Sequence, residues 1–124
     1  VTFERGTVVE YGDRAQAFIS GTASIDNKGR VVHVGDIVRQ THRMWENVDA
    51  LLAEADMNLT DHAAQITVYL RDTADYVTVR DLFAARFPHV PTIITLAPVC
   101  RPEWLIEMEC IAVADRHNET YRPF

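Results

Sequence analysis

"LIEMECIAV", residues 105–113, decides how this chain folds. Its residues alternate as in a strand, where successive side chains point to opposite faces. Ile106, Met108, Cys110 and Ala112 form one face, wholly apolar and suited to a cover of helices. Leu105, Glu107, Glu109, Ile111 and Val113 form the other. That second face is too apolar for open water and too charged for a dry core. An oligomer interface holding a wet cleft satisfies both demands. Just upstream, "PVCRPEW" (98–104) sets Cys100 and Arg101 between two prolines at the strand's entrance.

Outward from that strand the elements follow from periodicity. Pro91 introduces a strand from Thr92 to about Leu96, and Pro88 ends the helix before it. That helix opens at Thr73 or Asp75 and carries Tyr76, Val79, Leu82, Phe83 and Phe87 as apolar positions. Ala64 to Leu70 alternates, with Ile66, Val68 and Leu70 on one face and Gln65, Thr67 and Tyr69 on the other. Asn58 to Asp61 reads as a connector. A longer helix runs from a cap at Asp36 to about Ala55, with Met44, Trp45, Val48 and Leu52 on its buried stripe. Arg39, Gln40, Arg43, Glu46, Asn47 and Asp49 fall mainly on its wet side. Thr7–Tyr11 and Ala15–Ser20 read as strands, with a third short strand at Val31–His33.

The order β-β-(β)-α-β-α-β-β predicts an α+β fold: a mixed sheet, crossover units in the middle, and hairpins at both ends. Two helices cover only one face of such a sheet. The 124 residues, 48% of them hydrophobic, form a single domain, 1–124, with a real core.

The net charge of -6 opposes non-specific nucleic-acid binding and attachment to an anionic membrane surface. There is no apolar run of roughly 18 residues and no charged leader followed by an apolar stretch. The reading expects a cytoplasmic protein with two reduced thiols, Cys100 and Cys110. The five histidines, His33, His42, His62, His89 and His117, show no ligand spacing, so neither a metal nor another cofactor is expected. No nucleophile elbow or Gly-rich phosphate loop occurs. What remains is carboxylate acid–base chemistry, with Glu107 as its candidate. A salt-bridged or solvated strand face is the plain alternative for both glutamates.

"AFISGTASID", "NVDALLAEAD", "ITVYLRDTADYVTVRDLF", "FPHVPT" and "LIEMECIAV" together resemble the RidA (YjgF/YER057c/UK114) family, in order from about Ala15 to Val113. The resemblance implies a chorismate-mutase-like fold: a homotrimer with a central β-barrel and ligand clefts between subunits. It implies hydrolysis of reactive imines or enamines, with a last-strand glutamate, here Glu107, positioning water. Gly21 matches a glycine whose N–H lines the cleft. The family's substrate-binding arginine falls on Ile93, its cysteine on Thr95 and its helix asparagine on Arg80. "FISGTASI" and "VCRPEWLIEMEC" are also similar to the C-terminal half of chorismatases. That likeness implies an active-site role for Cys100, Arg101 and Glu107 in protonating an enol ether.

Three functions stay open: a hydrolase of a small carboxylate-bearing imine, enamine or enol ether; a non-catalytic trimeric binding or interaction module; and, opposed by the acidic charge, a ribonuclease.

Overall fold

The computed structural model describes residues 3–124. Five strands, β1 (Gly6–Glu10), β2 (Arg14–Ala23), β3 (Ala63–Leu70), β4 (Thr92–Leu96) and β5 (Ile106–Asp115), form one sheet in the order β1-β2-β5-β3-β4. Three helices accompany it: α1 (Ile37–Ala53), the short α2 (Leu59–His62) and α3 (Tyr76–Arg86), which a 3₁₀ turn at Thr73–Asp75 precedes. β1 and β2 form an antiparallel hairpin, and β3 and β4 pair in parallel around α3. This is the α+β architecture that the periodicities predict.

The closing hairpin does not form. β5 lies between β2 and β3, antiparallel to both, and β4 is an edge strand. The physical reason is hydrophobicity. β5 has an all-apolar face and a half-apolar one, so the centre of the sheet hides more of it than an edge would. Residues 97–105 carry the chain past the end of β3 to reach that position. The Ala97 and Arg71 N–H groups donate to Leu70 and Leu105 carbonyls at 2.9 and 3.1 Å.

The core forms as expected from the wheel and the alternation. Met44, Trp45, Val48 and Leu52 of α1, with Val79 and Phe83 of α3, pack on Ile66, Val68, Ile106, Met108 and Cys110. Trp45 meets Phe83 and Phe87 edge-on at 5.2 and 5.6 Å, the preferred aromatic geometry. Asp36 caps α1 by accepting the Arg39 N–H at 3.0 Å.

Three local expectations differ. Val31–His33 is not a strand; only an isolated Ile25–Val31 bridge forms, and His33 turns left-handed at φ 61°, which breaks an extended run. Asn58–Asp61 is not a plain connector, because Asn58 accepts the Asp61 N–H and starts α2. Gln40 is fully buried rather than wet. Its amide donates to the carbonyls of Glu103 at 2.9 Å and His33 at 3.2 Å, and accepts the Leu105 N–H at 2.9 Å. Burial costs little when every polar group finds a partner.

Candidate functional site

The open face of the sheet is laid out by register. Glu107 lies between Ala23 on β2 and Tyr69 on β3, and Tyr69 in turn pairs with Thr95 on β4. One step along, Glu109 pairs with Thr67, and Thr67 with Ile93. One end of this face is roofed by residues 97–105. Val99 and Trp104 form a second small core with Ala23, packed by Ile25, Val31 and Tyr69.

The roof is fixed by hydrogen bonds rather than by regular structure. Trp104 Nε1 donates to the Ser24 carbonyl at 3.1 Å. Arg71 donates from Nε to the Trp104 carbonyl at 2.9 Å, and from Nη2 to those of Val99 and Arg101 at 2.9 and 2.7 Å. Gln40 holds Glu103 and Leu105 from the helix side.

Under that roof the Glu107 carboxylate lies near the Cys100 backbone N–H, which favours its charged form. Its other neighbour is Gly21, in the irregular step of β2 between Ile19 and Thr22. A β-carbon at position 21 would run into Glu107 Oε1 and lie 3.2 Å from its Cδ. The absence of a side chain at Gly21 lets the carboxylate lie against the backbone there. Next to it, the Ser20 N–H donates to the Arg5 carbonyl at 3.1 Å, which brings the segment before β1 to the site.

Electrostatics set Glu107 apart. Burial pushes its carboxyl above the ordinary value, and the like charge of Glu109 pushes the same way; Arg5 and the Cys100 N–H oppose them without cancelling them. Burial, followed by Glu109 and Glu107, likewise raises the Tyr69 phenol, so it stays a proton donor. A cavity of ≈ 330 Å³ is walled by Phe18, Gly21, Gln65, Thr67, Glu109 and Ile111; Glu107 does not line it and meets it only through Gly21. A half-buried carboxyl of raised pKa is suited to exchanging a proton with a small ligand that reaches it.

The structure brings Glu107, Gly21 and the backbone of Cys100 together. It does not bring the other expected residues to them within one chain. Arg101 Nη1 donates to the Gly29 carbonyl at 2.7 Å, and its guanidinium lies 4.9 Å from the centre of the Trp104 ring. Arg80 belongs to α3, pairs with Asp81 at 2.9 Å and lies by a groove lined by Phe83, Phe87 and Ile94. Ile93 is 61% exposed on the edge strand, in the row of Glu109 rather than Glu107. Cys110 is buried behind the sheet, and burial pushes its thiol up to about 12, aided by Asp49, so it stays an inert thiol.

Sequence reasoning missed Tyr69 and Arg5 as site residues. Alternation already put Tyr69 opposite the core-facing residues of β3. The unread fact was that β3 pairs with β5. Arg5 carries no signal in the sequence, since only the Ser20–Arg5 contact brings it near. Among the described residues, no three His, Cys, Asp or Glu side chains gather as a metal site would require.

The family model for endoribonuclease L-PSP matches residues 7–114. A RutC family protein of Pyrococcus abyssi is 35% identical over 97 residues, spanning 77% of this chain and 76% of that one. The 3-aminoacrylate deaminase RutC of Acinetobacter baylyi is 32% identical with the same coverage. Among solved structures, RidA from an Antarctic Psychrobacter has the same fold, with a TM-score of 0.76 at 18% identity over 90% of this chain and 88% of that one. A chorismatase gives 0.75 at 27% identity, covering 87% of this chain and 35% of its own.

Proposed function

Because the chain belongs to the endoribonuclease L-PSP (RidA) family, we propose that it hydrolyses a small anionic imine, enamine or enol ether in clefts between the subunits of a homotrimer. The observation that carries this reading is Glu107: a half-buried carboxyl held above its ordinary pKa and packed against Gly21, whose far side lines an open cavity. The relative named for a deaminase supports the imine and enamine classes. The chorismatase likeness supports the enol ether.

In this reading Glu107 gives its proton to the enamine or enol-ether carbon, or to the imine nitrogen. The electrophilic carbon so formed adds water, whose released proton returns to Glu107. Glu107 then passes that proton to the departing nitrogen or oxygen and takes up the one on the new hydroxyl, so the amine or alcohol leaves, a carbonyl product remains and Glu107 ends protonated. The open face, half apolar and half charged, is the surface that trimer formation covers, leaving the glutamates in a confined but hydrated cleft.

Glu107→Gln keeps the shape and removes the exchangeable proton. The expected result is loss of turnover, by at least about 10²-fold, with an unchanged sedimentation coefficient. Equal activity in the variant would sink the mechanism.

One observation favours a second reading, a trimer that binds a carboxylate without turnover. The position matching the family's arginine is the exposed aliphatic Ile93, and Arg101 is engaged with Gly29 and Trp104. Calorimetry with small 2-oxo acids separates the two: binding with no product from the matching imines supports the second.

A further inference from the structure

On the helix-covered side of the sheet, a cleft of ≈ 480 Å³ lies between α1 and the segment that leads into it. Arg39, His42, Arg43 and Glu46 line it from the helix, at the i, i+3, i+4 and i+7 spacing of one helix face. Asp26, Val32 and His33 line it from the segment. That segment is a fixed wall. Ser24 Oγ donates to the Val32 carbonyl at 2.8 Å, and Arg43 Nε donates to the Ile25 carbonyl at 3.0 Å. His33 is left-handed at φ 61°, a conformation that few residues other than glycine adopt. The Asp36 N–H and the Gln40 amide hold it there by donating to its carbonyl at 3.1 and 3.2 Å.

The carboxylates of the cleft are already taken. Asp26 accepts the Lys28 and Arg30 N–H groups at 2.8 and 2.9 Å and Arg30 Nε at 2.8 Å. Glu46 pairs with Arg43 at 3.2 Å. Arg39 is left over: among the described residues it takes part in no ion pair. His42 meets Trp45 edge-on at 5.2 Å, which orients its ring. The cleft therefore offers donors: a guanidinium fork and two imidazoles, each of which carries an N–H even when neutral. A tetrahedral oxyanion turns oxygens towards both walls, whereas a planar carboxylate has only two in one plane. We propose that the cleft is a second binding site, which takes the phosphoryl group of a small molecule or of free phosphate. Arg39 supplies the charge, and His33 and His42 donate from the two walls. The volume leaves room for a small body attached to the phosphoryl group.

The site is tested by amide NMR titration of the intact chain with inorganic phosphate, with glycerol phosphate, and with sodium chloride at matched ionic strength. The two phosphates are expected to move the amides of residues 33–46 along saturating curves, and the chloride is not. Arg39→Gln changes an exposed side chain and leaves the core alone. It should weaken phosphate binding about tenfold, the worth of one charge-assisted hydrogen bond. His33→Asn brings in a residue that tolerates left-handed backbone and should weaken binding by a smaller factor. A tighter ester marks a phosphorylated metabolite as the ligand, and equal affinities mark the free ion. Shifts that chloride reproduces, that never saturate, or that keep the parent's affinity in Arg39→Gln would overturn the site. Glu107 stands on the open face of the sheet, so this result does not depend on the hydrolase reading.

Discussion

Glu107 hangs from the middle strand with Gly21 against one oxygen and the Cys100 N–H near its carboxylate. Burial and Glu109 make the charged form costly there, so the folded chain holds this proton to a higher pH than the unfolded chain does. The sign follows. The stability contributed by the protonated carboxyl is complete below its ordinary value of 4.5 and is lost as pH rises through the raised one. Glu107→Gln does not titrate. Its melting temperature relative to the parent should therefore be higher at about pH 8 than at about pH 4, as scanning calorimetry would show. A difference that does not change with pH would mean that Glu107 is not perturbed. Arg101 makes the opposite case. It looks like a ligand-binding cation in the sequence, yet it donates to Gly29 and stacks on Trp104.

At the scale of elements, α1 does two jobs. One stripe fills the core with Met44, Trp45, Val48 and Leu52. Gln40, on the same helix, reaches the roof segment and satisfies Glu103, His33 and Leu105. Residues 97–105 have no regular structure of their own, so these bonds and those of Arg71 substitute for a ladder. Gln40→Ala leaves the Glu103 carbonyl and the Leu105 N–H without their Gln40 partner, while the His33 carbonyl keeps the Asp36 N–H, and it opens a void. The expected cost is about 2–4 kcal/mol in urea denaturation. Faster hydrogen exchange at Leu105 should accompany it, since its amide loses its acceptor. A cost under about 0.5 kcal/mol would show that the roof is held by Arg71 and packing alone.

At the scale of the molecule, the sheet is covered by helices on one side only. The other side presents Phe18, 41% exposed, beside Ile111 in the β2–β5 register, with the glutamates further along the same strand. An isolated chain would leave this mixed surface in water, and the proposed trimer removes it. Phe18→Glu adds charge where the proposed interface needs an apolar contact. Sedimentation velocity should show its trimer reduced to monomers, with the far-ultraviolet circular dichroism retained. A variant that sediments like the parent would exclude this face from the interface. No helix among the described residues is long and apolar enough to cross a membrane.

The alternation of "LIEMECIAV" determined by itself that β5 has a helix-covered face and an unsatisfied one, because side-chain direction in a strand is a local property. The stripe of α1, the stop at Pro88 and the β3–α3–β4 crossover are local in the same sense, and Glu107 could be singled out from them. Strand partners are not local. That β5 enters the centre of the sheet, and so faces Tyr69 across one ladder and Ala23 across the other, depends on which arrangement buries most apolar surface over the whole chain. The same holds for Gln40, whose polarity marks it for solvent until distant carbonyls come within reach. Arg5 likewise reaches the site only because Ser20 pairs with it. The sequence carried the carboxyl and the face on which it stands; tertiary pairing chose the neighbours that set its charge.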